Sequence, residues 1–237
     1  MNKSIVLALV LIGIVFLSGC IGERPYEQPI TTTVQQVTTT TTPPTTTTPT
    51  VKPEILSYSS YFSSIGYFTI VGEVKNNLQS NINFVKITAT FYDNQKNVIG
   101  TDFTYTDLDI IKPNQKSPFE LSSYPDKITP DSFKLTLSYS QTGNEPFIGL
   151  QILSHTAVFD SLGYHKIVGE VKNDGNRKST YVKIVVSYYD STGKVIGKSF
   201  TFTDPTDIDV GDTAPFSISS YPNKINPSSY ELQVQGR

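Results

Sequence analysis

The chain has no tryptophan, one methionine, two histidines and a single cysteine among 237 residues. A lone cysteine excludes an intrachain disulfide, so any folded part must stand on its own hydrophobic core. It also leaves no cysteine set for a zinc site. The two histidines, His155 and His165, are the whole stock of side chains that ordinarily titrate near neutral pH, a thin provision for acid–base chemistry. Charge is scarce too: 19 Lys and Arg against 21 Asp and Glu give a formal net charge of −2. That balance gives no electrostatic reason to bind nucleic acid or anionic lipid. What the chain does have is 14 tyrosines and 13 phenylalanines, which favour strands over helices.

The amino terminus carries the strongest single signal. Lys3 precedes an apolar run over residues 5–16, and Leu17-Ser18-Gly19-Cys20 follows. A basic start, an apolar core and small residues before a cleavage point define a secretory signal. The tetrapeptide resembles the lipobox of prokaryotic lipoproteins. That resemblance implies cleavage before Cys20 and attachment of a diacylglyceryl-type lipid to its sulfur, the only thiol available for a thioether. Removal of Lys3 would take the charge from −2 to −3. An uncleaved membrane helix competes with this reading. Residues 5–17 supply 13 positions against the roughly 20 a span needs, and extension to Gly22 makes only a short one.

Residues 20–53 form a stalk of threonine and proline runs, with Thr31-Thr32-Thr33, all-threonine stretches at 38–42 and 45–48, and Pro43-Pro44 between. No apolar face exists there to offset the entropy of ordering, so the segment is expected to be disordered and extended. At about 3.1 Å per residue a stiff version reaches on the order of 100 Å. Such stretches also read as O-glycosylated stalks, and their threonine content points to an archaeal source.

Beyond the stalk the chain repeats itself. Tyr67-Phe68-Thr69-Ile70-Val71-Gly72-Glu73-Val74-Lys75-Asn76 matches Tyr164-His165-Lys166-Ile167-Val168-Gly169-Glu170-Val171-Lys172-Asn173, at an offset of 97 (164 − 67). The same ungapped offset aligns Val85-Lys86-Ile87 with Val182-Lys183-Ile184, Val98-Ile99-Gly100 with Val195-Ile196-Gly197, and Ser122-Ser123-Tyr124-Pro125 with Ser219-Ser220-Tyr221-Pro222. This is a duplication, which predicts two domains, 54–144 and 151–237, with a linker over 145–150.

Within each copy the apolar residues alternate. Val85, Ile87, Ala89 and Phe91, and their copies Val182, Ile184, Val186 and Tyr188, are separated by single intervening residues, the period-2 pattern of a half-buried strand. Turn residues from Asp93 and Asp190 follow, and a second strand resumes at Val98 and Val195. About seven short strands per copy and no helical stripe predict an all-β fold, two tandem immunoglobulin-like antiparallel β-sandwiches.

The residues Gly72-Glu73-Val74-Lys75-Asn76, Phe91-Tyr92-Asp93, Val98-Ile99-Gly100 and Pro118-Phe119 resemble the FxLYD domain, as do residues 169–173, Tyr188-Tyr189-Asp190 and Pro215-Phe216. The pattern departs at the naming motif: Ala89 and Val186 replace its first Phe, and Phe91 and Tyr188 replace its Leu. The resemblance implies an Ig-like fold and a secreted or lipid-anchored prokaryotic protein, with no enzymatic activity to carry over.

Candidate sites are few. His155 and His165 are expected on the surface or rim, because Tyr58 and Phe68 replace them in the first copy. Asp107 and Asp109, with Asp204, Asp207 and Asp209, make acidic loops that could attract calcium, although no EF-hand spacing is present and turns favour aspartate anyway. Glu73 and Glu170 are expected to face water or a cross-strand lysine. Strand alternation points Phe84, Tyr92, Tyr181 and Tyr189 away from the core, as a strip for a sugar or a protein, or as packing against a loop or the sister copy. No catalytic set, cofactor or metal is expected. The sequence therefore predicts a non-enzymatic protein held at the cell membrane by the lipid on Cys20 and facing outward, binding an envelope protein or glycan. A purely structural spacer is the alternative.

Overall fold

The computed structural model describes residues 51–63, 65–123, 129–161, 163–220 and 227–237. The signal, the lipobox with Cys20, and the stalk through Thr50 lie outside the described residues, as do Tyr124-Pro125 and Tyr221-Pro222. No helix among the described residues is long and apolar enough to cross a membrane.

The described chain is all-β. Its strands are β1 (Glu54–Phe62), β2 (Phe68–Lys75), β3 (Asn81–Tyr92), β4 (Val98–Tyr105), β5 (Ile110–Ile111), β6 (Lys116–Ser122) and β7 (Ser132–Thr142). The second copy adds β8 (Leu150–Phe159), β9 (His165–Asn173), β10 (Lys183–Tyr189), β11 (Val195–Phe202), β12 (Thr213–Ser220) and β13 (Ser229–Gln235). Every pairing is antiparallel and stays within one copy: β1-β2-β6 and β4-β3-β5 with β7 on β3, then β8-β9-β12 and β11-β10-β13. The counterpart of β5 shrinks to a bridge, Ser179 with Ile208, where Ile82 pairs with Ile111 in the first copy.

The two sheets of each copy face one another across a core. Ile70, Val74, Phe119 and Leu121 meet Val85, Ile87, Ala89 and Phe91 in the first. Ile167, Val171, Phe216 and Ile218 meet Ile184, Val186 and Tyr188 in the second. The alternation read from β3 holds: Val85, Ile87, Ala89 and Phe91 are buried, and Lys86, Thr88 and Thr90 are half-buried on the opposite face. Each β3–β4-type hairpin closes on its aspartate. Asp93 Oδ1 accepts from the backbone N–H groups of Gln95 and Asn97, and Asp190 Oδ1 from those of Thr192 and Lys194. The side-chain bonds from Asn97 to Asp93 and from Thr192 to Asp190, followed by these backbone bonds, lower both carboxyl pKa values.

The described residues form one compact unit, in which the outer face of β1-β2-β6 packs on the outer face of β11-β10-β13. A small apolar cluster, Val71 with Tyr189, Val195 and Tyr61, sits at the contact. Around it Tyr189 donates to Glu73 at 2.5 Å, and Lys116 donates to the Tyr189 hydroxyl at 2.9 Å while pairing with Glu231 at 2.8 Å. Burial, then the bond to Glu73, pushes the Tyr189 pKa up to about 12. The consequence is visible in the strand β2, buried almost throughout, whereas its near-identical copy β9 alternates buried and exposed.

Candidate functional site: an aromatic groove between the copies

A local irregularity shapes the site. Between Asn83 and Lys86 of β3, three steps face only two on β7, from Ser140 to Ser138, so one residue is extra. The second copy repeats this: Thr180 exchanges backbone hydrogen bonds with Arg237, and Lys183 pairs with Gln235. Both are β-bulges, which re-aim the side chain they carry. The re-aimed residues are Phe84 and Tyr181, at φ 48° and 50°. A bulky side chain in the left-handed region costs about 1–2 kcal/mol, and here two aromatic rings accept it while standing 72% and 61% exposed.

Both rings line one groove of about 750 Å3. Tyr105 and Phe202, also 97 residues apart, line it at the ends of β4 and β11. Thus two equivalent aromatic pairs, one from each copy, converge on a single concavity. Polar groups flank the rings. Gln235 accepts from the Asp109 N–H at 2.8 Å and donates to the Ile110 carbonyl at 2.8 Å. Arg237 pairs with Asp109 at 2.7 Å and lies over the Tyr181 ring, and Lys183 reaches Asp109 at 3.6 Å. The segment between the copies closes one side, with Phe147 buried under the Arg177 guanidinium.

The four aromatics expected on a strip therefore divide. Phe84 and Tyr181 meet in the groove; Tyr92 is half-buried on the outer face of β3. Tyr189 does point away from its own core, but the first copy covers it, leaving it only 8% exposed and unavailable as a binding surface. Tyr105 and Phe202 are site residues that sequence reasoning missed. The signal for them is their recurrence at the offset of 97 on the outward parity of β4 and β11.

The remaining candidates have structural surroundings. Asp107 is nearly buried in the contact between copies, where Lys198 reaches its carboxylate at 3.1 Å and Lys183 its backbone carbonyl at 2.9 Å. Burial raises its pKa, and the two lysines work against that rise. Asp207 and Asp209 lie beside Lys178 at 3.6 and 3.9 Å, and Asp204 is exposed. Among the described residues no group of three or more His, Cys, Asp or Glu could hold a metal ion. Glu73, expected to face water or a lysine, is buried at the contact with Lys116 3.5 Å away; Glu170 is exposed.

His155 is exposed, with Nδ1 2.9 Å from the Tyr230 hydroxyl. His165, expected at the surface, is instead buried against Phe159, Tyr188 and Tyr230, because β9 turns this position inward as β2 does Phe68. Its Nδ1 finds no partner among the described residues, and burial lowers its pKa below 6.5. The unfolded chain then binds the proton more readily than the folded one. Stability is fully present above the unfolded pKa and is lost as the pH falls from there through the folded pKa. His165→Phe keeps the ring contacts and removes the titration. Wild-type urea midpoints should drop between about pH 7 and pH 5, and the variant's should drop less. Parallel decline of the two would rule out this account.

No family model matches the chain, and no curated protein matches it. Among solved structures it is similar to the exo-chitosanase CsxA of Amycolatopsis orientalis, with 10% identity over 76% of this chain and 25% of that one and a TM-score of 0.27. Red sea bream transglutaminase gives 7% identity over 78% and 29% of the two chains, at a TM-score of 0.25. The chain spans little more than a quarter of either protein, and likeness at this level carries no argument about activity.

Proposed function

We propose that this chain is a non-enzymatic, lipid-anchored protein of the prokaryotic envelope, in which two FxLYD-type, Ig-like repeats hold an envelope glycan in the groove between them. Cys20, following its lipobox-like tetrapeptide, supplies the anchor, and two hydrocarbon chains on it suffice for stable attachment. The Thr/Pro stalk holds the repeats away from the bilayer.

The observation that carries the binding role is the convergence of Phe84, Tyr105, Tyr181 and Phe202 on one groove, two of them in a backbone conformation that costs stability. A pyranose ring presents a C–H face that suits an aromatic face and a hydroxyl rim that suits amide and charged groups. Gln235, Asp109 and Arg237 stand beside the rings in that way.

The test uses full chains in native membranes. Asparagine tolerates the left-handed region, so Phe84→Asn with Tyr181→Asn should leave stability unchanged or raise it by about 1 kcal/mol per site. The same variant should lose co-sedimentation with purified envelope polysaccharide. Cys20→Ser should shift the chain from the membrane to the soluble fraction. Full polysaccharide binding by the asparagine variant would sink the groove reading. Membrane retention by Cys20→Ser, after the usual cleavage, would sink the anchor.

A further inference from the structure

The contact between the copies joins the outer face of β11-β10-β13 to the outer face of β1-β2-β6. Duplication means that each of those faces exists twice. The first copy's equivalent of β11-β10-β13 is the outer face of β4-β3-β7, and the second copy's equivalent of β1-β2-β6 is the outer face of β8-β9-β12. Among the described residues of one chain these two faces do not meet. The residues that seal the internal contact stand uncovered on them: Val195 and Val71 are fully buried, whereas Val98 is 60% and Val168 is 40% exposed. Glu73 is 2% exposed, and Glu170 is open to solvent.

We infer that the uncovered pair of faces joins successive copies of this chain head to tail, through a contact that repeats the internal one. The chemistry of the internal contact is retained position by position. Ser57 accepts from the Val195 N–H at 3.2 Å and Ser59 donates to the Val195 carbonyl at 2.6 Å. Their equivalents, Ser154 and Thr156, keep both hydroxyls for Val98. Tyr189 donates to Glu73; Tyr92 and Glu170 keep that pair.

Where the residues change, they change in compensation. Internally, Lys116 on one face bridges Glu73 beside it and Glu231 opposite. On the uncovered faces the equivalent of Lys116 is Thr213, and the equivalent of Glu231 is Lys134. The cation has crossed the interface: Lys134 of one copy now stands opposite Glu170 of the next. A random drift of surface residues has no reason to exchange the sides in this way. The contact is heterologous, so it propagates into a filament unless the rotation closes a ring.

The test crosslinks differently tagged full-length chains in the same membranes. Val98→Cys in one and Val168→Cys in the other reproduce the neighbourhood of Val195 and Val71. A disulfide between the two tags should form in this mixture, severalfold above Val98→Cys mixed with itself, which also measures any background from Cys20. Glu170→Lys in the Val168→Cys chain should abolish the excess, and Lys134→Glu in the Val98→Cys chain should restore it. Lys134 and Glu170 are both exposed, so neither change threatens folding. Crosslinking no greater than in the self-mixture overturns the inference, and so does failure of the reversed charges to restore it.

Discussion

Gly169→Ala is expected to destabilise the chain by about 3 kcal/mol, and Gly72→Ala by somewhat less. The two glycines occupy the same place in the duplicated Gly-Glu-Val-Lys-Asn motif, on β9 and β2. Each lies directly across from a phenylalanine, Phe216 on β12 and Phe119 on β6. The ring lies over the glycine, filling the place a side chain would take. A Cβ at position 72 would collide with the Phe119 ring, and one at 169 would come within 2.6 Å of Phe216. Neither ring has room to retreat, since both are buried in their cores. The second copy adds an obstacle that cannot swing aside: the backbone oxygen of Ser154 would stand closer still to the new Cβ. Hence the larger loss at 169. Urea unfolding followed by far-ultraviolet circular dichroism measures both, and wild-type midpoints for the pair would refute the ring-over-glycine packing.

Much of this architecture was legible in the chain because burial and periodicity coincide. Val85, Ile87, Ala89 and Phe91 alternate in sequence and are buried in fact. The hairpin aspartates Asp93 and Asp190 sit where the turns close. Alternation failed at the bulges. An extra residue at Phe84 and Tyr181 breaks the period of two, and no local residue choice announces it, since aromatic residues ordinarily avoid positive φ. Alternation also says nothing about what covers an outward face. β2 and β9 are nearly the same sequence, yet one is sealed and the other alternates. The differences that separate the two fates lie on other strands. Lys134, Thr136 and Ser138 on the open face become Glu231, Gln233 and Gln235 on the covered one, where Gln233 bonds Gln115 and the Lys116 carbonyl. The signal that marks the covered face lies in the differences between the copies, position by position.

The last residue of the same motif should be as intolerant as its glycine. Asn173→Ala is expected to cost about 3 kcal/mol, as is Asn76→Ala, because each asparagine is wholly buried and serves three backbone groups at once. Asn173 donates to the carbonyls of Arg177 and Ile208, both at 2.9 Å, and accepts from the Gly175 N–H at 2.9 Å. Asn76 does the same for Ser80, Ile111 and Leu78. The side chain thus ties the end of a β2-type strand to the loop after it and to the pairing around Ile208 or Ile111. Alanine leaves two carbonyls and one N–H to find other partners, and the carbonyl at Ile208 or Ile111 lies deepest. Asn173→Asp separates lost hydrogen bonds from lost volume. It keeps the shape and the acceptor but sets a buried carboxylate against two carbonyl oxygens, which raises its folded pKa above the unfolded value. The folded state then holds the proton more tightly, so the penalty is greatest at neutral pH and shrinks as the pH falls. Asn173→Asp should be less stable than Asn173→Ala at neutral pH and should gain on it in acid. A pH-independent difference between the two variants would show that the asparagine acts by filling space alone.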